Sequence, residues 1–103
     1  MADDAKKFRD EYVRANGLKF HYLDWGHAEK PPMVLLHGVG QTCHTWDLFA
    51  GTMADHFHVM AFDQRGHGDT DWASDKDYSR ATMVADASAF TDALGLDHFL
   101  LTG

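Results

Sequence analysis

Basic residues are scarce in this chain, and so are cysteine, proline and long apolar runs. Lys and Arg number 9 against 16 Asp and Glu, a formal net charge of −7 over 103 residues. Nucleic acids and anionic membrane surfaces both require a cationic face. No cluster of Lys and Arg supplies one, so neither is expected as a partner. The 8 histidines offset part of the charge only below neutral pH. A single cysteine, Cys43, excludes an internal disulfide and suits a reducing compartment. No apolar run approaches the length that spans a bilayer. The opening MADDAKKFRD is mixed in charge and lacks the apolar core of a secretory signal. A cytoplasmic location is the expectation these absences leave. Both prolines sit together at Pro31-Pro32, where they punctuate a turn. With no repeat, low-complexity segment or internal linker, the chain reads as one continuous piece of one domain.

What is present is a regular alternation. Glu11 to Arg14 and Leu18 to Trp25 flank Asn16-Gly17, the dipeptide best suited to a tight hairpin because both residues tolerate positive φ. Leu18, Phe20 and Tyr22 alternate with Lys19 and His21, the pattern of a half-buried antiparallel strand. Met33 to Leu36 form an apolar run too short for a helix and bounded by prolines and glycine, which predicts a buried parallel strand. Trp46, Phe49, Ala50, Met53 and Phe57 fall at helical spacing, with Thr45 as the expected N-cap and Asp47 in the first turn. FHVMAFD predicts a second buried strand. Met83, Val84, Ala87, Phe90 and Leu94 mark a second helix closed by Gly95, and DHFLLTG predicts a third strand, apolar on both faces. The fold class is α/β: a hairpin, then parallel strands joined by crossover helices. In such sheets ligands bind beyond the carboxyl ends of the strands. Here HGVGQT, DQRGHGDTD and TG follow the three apolar strands, so all three are expected on one edge.

His37-Gly38-Val39-Gly40 lies between a buried strand and a helix. Glycines there let the backbone turn sharply and expose N–H groups, which an oxyanion needs, although two glycines also make an ordinary tight turn. GVGQTC approaches the dinucleotide-binding G-x-G-x-x-G, with Asp63 ending the next strand where a ribose-binding acid would stand. Cys43 replaces the third glycine, and a hairpin precedes the strand where that fold normally begins, which makes the nucleotide reading the weaker one.

A strand ending in Asp63 and followed by Arg65-Gly66-His67-Gly68, after His37-Gly38 on the preceding strand, resembles the α/β-hydrolase family. The resemblance covers most of the chain: hairpin, His-Gly loop, Arg-Gly-His-Gly loop, amphipathic helix, and a strand ending in Gly. In that family the G-x-S-x-G nucleophile elbow comes next. Gly103 would then be its first glycine, and residues 1–103 would be the N-terminal part of one α/β-hydrolase domain, lacking nucleophile, acid and base. Such a piece is expected neither to fold stably nor to catalyse anything alone.

Carried onto these positions, the resemblance gives the Val39 backbone N–H a place in the oxyanion hole and its side chain a place at the substrate entrance, between Gly38 and Gly40. It makes His37 a strand-end residue that holds the loop by hydrogen bonding, not the catalytic base. Asp63, Arg65, Gly66 and Gly68 become a bracing loop, with a buried carboxylate expected for Arg65. Thr70 stands where the family often has Ser. Members with an Asp nucleophile, the haloalkane dehalogenases and epoxide hydrolases, often carry His-Gly-x-Pro. Gly40 replaces that proline and favours a Ser nucleophile acting on an ester, lactone or C–C bond of a small molecule. An Asp-nucleophile enzyme and a non-catalytic small-molecule receptor of the same fold remain as alternatives.

No cofactor is implied. His56 and His58 share a side of one strand, and Cys43 and His44 are adjacent, but neither pair has further ligands at metal-binding spacing. Trp46 reads as core, Cys43 as non-catalytic, and DTDWASDKDYS as a solvated connection.

Overall fold

A computed structural model describes residues 7–103 of the chain; the start of the opening segment, residues 1–6, lies outside them. Asn16 and Gly17 adopt φ of 49° and 81°, the two successive positive values that a tight I′ hairpin turn requires. They join β1 (Arg9–Ala15) to β2 (Leu18–Asp24) as an antiparallel pair. Next come β3 (Pro32–Leu36), a 3-10 turn (Cys43–Trp46), α1 (Asp47–Met53), β4 (His58–Phe62), α2 (Arg80–Ala93) and β5 (Leu100–Thr102). The five strands form one mixed sheet in the order β1-β2-β4-β3-β5. β3 is parallel to both β4 and β5, while β2 meets β4 antiparallel through Tyr22 and Phe62. Among the described residues no helix is long and apolar enough to cross a membrane.

Side-chain parity sorts the core. Odd-numbered Leu23, Met33, Leu35, Val59 and Ala61 pack on one face with Cys43, Ala50 and Ala54 from the α1 segment. Even-numbered Phe20, Tyr22, Val34, Met60 and Phe62 pack on the other with Phe90 of α2. The period-2 alternation of a strand puts neighbours on opposite faces, so α1 and α2 cover opposite sides of the sheet. This corrects the half-buried reading of β2: Phe20, His21, Tyr22 and Leu23 are all buried.

The same parity locates the site. The chain leaves β3 over one face to reach β4, then leaves β4 over the other face to reach β5 beyond β3. Adjacent strands whose connections depart to opposite faces leave a crevice outside their carboxyl ends. The loops beginning at His37 and Asp63 flank that crevice.

Three further expectations change. Thr42, not Thr45, caps the helical segment, accepting a bond from His44 N–H. Helical structure stops at Met53, so Phe57 packs into the core from a loop. Val84 is exposed, and Leu100 and Leu101 are half exposed because β5 has a strand neighbour on one side only among the described residues.

Phe90 stacks on Phe62 at 4.3 Å between ring centroids and meets Phe20 and Tyr22 edge-on. Phe90→Ala is expected to cost about 3–5 kcal/mol of stability, the range for emptying a packed aromatic site. A urea unfolding curve on the complete protein checks this; a midpoint equal to that of the wild type would show that α2 is not held here.

Candidate active site

Gly38, Val39, Gly40 and Gln41 form a turn closed by Gln41 N–H donating to Gly38 O at 3.1 Å. Gly40 has φ of 78° at the third position and Val39 has negative φ at the second, the signature of a type II turn, whose third position favours glycine. The backbone donors of this turn are not equivalent. Gly38 N–H donates to Gln41 Oε1 at 2.9 Å, and Gly40 N–H donates to His67 Nε2 at 3.3 Å. Val39 N–H has no acceptor among the described residues, and Val39 is 97% exposed. A cavity of about 310 Å3 lies beside it, lined also by Gln64, His67, Tyr78, Arg80 and Met83.

His37 follows the last residue of β3 and bonds to both loops. Its Nδ1 donates to Gly38 O at 2.8 Å, and its Nε2 accepts the Gln64 N–H at 2.9 Å. The Gln64 side chain returns a bond to His37 O at 2.6 Å. Burial lowers the His37 pKa and the nearby His67 reinforces this, against the contact with Gly38. A neutral ring is also what the bonds require, because Nε2 must keep its lone pair to accept.

Asp63 is the other anchor. Its Oδ1 accepts Cys43 N–H at 2.8 Å, and its Oδ2 accepts Asp69 N–H at 3.1 Å and His21 Nδ1 at 2.7 Å. Burial by itself would raise the Asp63 pKa, yet His21 and the two N–H donors hold it below the ordinary 3.8. Gly68 has φ of 52°, and a Cβ there would lie 2.2 Å from Asp63 Oδ2, so only glycine lets the loop close over the carboxylate. Thr70 Oγ1 donates to Asp63 O and accepts His21 N–H, at 2.7 and 2.9 Å.

His21 is the residue that alternation alone concealed. Its Nε2 meets Asp10 Oδ1 at 2.8 Å, so a carboxylate faces each ring nitrogen. Burial opposes charge on the ring, but the bonds to Asp63 and Asp10 prevail and raise its pKa above 6.5. The legible signal was Leu23 and Trp25 at the same parity: a face carrying those residues is itself buried. Cys43 completes the cluster, with Sγ 3.9 Å from His21 Nδ1. One ligand atom each from His21, Cys43 and Asp63 lies within 4.8 Å of the others. His21 and Asp63 are bonded directly to each other, and burial with nearby Asp63 pushes the Cys43 thiol pKa far up.

Arg65 pairs with a buried carboxylate on α2. Its Nε and Nη2 donate to the two oxygens of Asp86 at 2.6 and 3.0 Å, and Nη1 donates to Asp77 O. Asn16 Nδ2 also donates to Asp86, at 2.8 Å. Asp86 lies three residues after Met83 and four before Phe90, so an acid on the apolar stripe was the available sign. The Asp77 and Tyr78 segment is therefore more than a solvated connection. His58 pairs with Asp24 and His44 with Asp47, so the structure does not gather the remaining histidines. The nucleotide reading also fails locally, since Cys43 N–H at the helical start is taken by Asp63.

Residues 31–103 match the family described as alpha/beta hydrolase fold. The chain belongs to that family. It is 35% identical over 88% of its length to N-formylmaleamate deformylase of Pseudomonas putida, covering 34% of that protein. It is 33% identical over 88% of its length to mouse epoxide hydrolase 4, covering 26%. A solved structure described as a membrane phospholipase A, a bacterial virulence factor, superposes with TM-score 0.88 at 27% identity, covering 92% of this chain and 31% of that one. This α/β-hydrolase chain thus spans about a third or less of the length of these relatives.

The His21–Asp63 pair sets a pH window. The raised His21 pKa gives stability that is full below 6.5, its unfolded value, and is lost as pH rises through the higher folded value. The lowered Asp63 pKa gives stability present above 3.8 and lost as pH falls through the lower folded value. Denaturant unfolding of wild type and His21→Phe across pH is expected to show their difference shrinking as the solution becomes alkaline. A difference that grows with pH would contradict the raised His21 pKa.

Proposed function

We propose that the protein is a hydrolase in which the Val39 backbone N–H supplies one oxyanion-hole donor, residues 1–103 forming the N-terminal part of the catalytic domain. The reaction is attack by a serine on the acyl carbon of a small ester, lactone or diketone-like substrate, with a nucleophile, base and acid outside these residues. The observation that carries this reading is the selective engagement of the turn: Gly38 and Gly40 N–H are bonded within the protein, and Val39 N–H is not. A fixed, unengaged donor beside a crevice costs no reorganisation when an oxyanion forms. Gly38, Val39 and Gly40 would line the substrate, and His37, Asp63 and Arg65 would hold the loops that present them.

A second reading has its own support. Mouse epoxide hydrolase 4 is among the relatives, which favours an Asp nucleophile despite Gly40 in place of proline. Turnover of a p-nitrophenyl ester with labelling by a fluorophosphonate supports the serine reading. Opening of styrene oxide without labelling supports the Asp reading, and neither activity points to a receptor of the same fold.

The discriminating substitution is Val39→Pro. Proline is favoured at the second position of a type II turn, so the turn survives while the donor is lost. Removing one oxyanion donor costs about 3–4 kcal/mol, so kcat is expected to fall roughly a hundred- to a thousandfold. A folded Val39→Pro protein with full ester turnover would show that Val39 N–H is not the donor.

A further inference from the structure

We infer that His67 is a positioning residue that selects which backbone donor of the Gly38–Gln41 turn remains open to the oxyanion. The inference deepens the reading of Val39 N–H given above and rests on it. His67 Nδ1 lies 2.9 Å from Arg65 O. A carbonyl oxygen only accepts, so Nδ1 carries the proton. His67 Nε2 accepts the Gly40 N–H at 3.3 Å and therefore keeps its lone pair. The two contacts together specify one state of the ring, neutral with the proton on Nδ1.

The loop is built to hold that state. Gly66 and Gly68 flank His67 with φ of 73° and 52°, curling the chain so that the ring reaches a carbonyl two residues back. His67 N–H donates to Gln64 O at 3.0 Å, and Thr70 N–H donates to His67 O at 3.1 Å, fixing its backbone. The ring also lies against His37, with centroids 4.8 Å apart. His37 repeats the arrangement, its Nδ1 donating to a carbonyl and its Nε2 accepting a backbone N–H. Two neutral imidazoles thus take one N–H on each side of the crevice. His37 ties the Asp63 loop to the strand end, and His67 ties the turn to the Asp63 loop.

Without His67 the Gly40 N–H would be a second unengaged donor one residue from Val39. The turn could then rock to offer either N–H, and the oxyanion would lose a single preset position. The contact acts on the transition state through Val39, not on substrate directly. Its loss is therefore expected in kcat, with KM nearly unchanged.

Two variants and one spectrum test this in the complete protein, with a p-nitrophenyl ester as substrate. His67→Phe keeps a ring and removes the acceptor; kcat is expected to fall about tenfold, the scale of one hydrogen bond. His67→Gln places an amide oxygen near the Nε2 position and is expected to recover most of that loss. Imidazole 15N spectra of the wild type at neutral pH are expected to show His67 with its proton on Nδ1. Unchanged kcat in the Phe variant overturns the inference, as does a Gln variant no better than Phe, or a wild-type ring protonated on Nε2. Absence of any ester turnover defeats the proposed function, while the 15N spectrum still decides the state of His67 without a variant.

Discussion

The carboxylate of Asp63 is the constraint on which the arrangement depends. Buried at the end of β4, it binds His21 on β2, the Cys43 N–H that begins the helical segment and the Asp69 N–H of its own loop. Removing it would leave two buried donors, His21 Nδ1 and Cys43 N–H, without an acceptor, each costing roughly 1–3 kcal/mol. It also dictates local sequence, because Gly68 must pass where no Cβ fits. The two loops at the crevice are in this sense one unit, built around a single charge.

Three histidines share this small volume and are held in different states by their neighbours. His21 has a carboxylate at each nitrogen and is pushed toward imidazolium. His37 and His67 each face a carbonyl at Nδ1 and a backbone N–H at Nε2, so both are neutral. The His21 ring stabilises the Asp63 hub and stays buried. The neutral rings hold the turn, where a cation would meet backbone donors.

The sheet edge, its loops and the family were legible because they rest on local pattern. Asn16-Gly17 can hardly be other than a hairpin turn, and apolar runs ending in His-Gly and Asp-x-Arg-Gly mark strand ends. The pairs that hold the loops were not legible. Arg65 announced a carboxylate but not which one, since Asp86 is 21 residues away and reaches it only once α2 packs. His21 looked solvent-facing because alternation reports one buried face, and β2 is covered on both. Thr42 displaced Thr45 as cap because Asp63 fixes the start of the helical segment at Cys43.

In the proposed function, Val39 N–H is the turn donor left for an oxyanion, since Gly38, Gly40 and Gln41 N–H are bonded within the protein. The direct measurement is the amide 1H and 15N shifts of the turn in the complete protein, before and after formation of a phosphonate adduct. With Val39 N–H as the donor, a large downfield displacement of the Val39 amide proton is expected, with Gly38 and Gly40 little changed. An unmoved Val39 amide, or a displacement centred on Gly40, would contradict it.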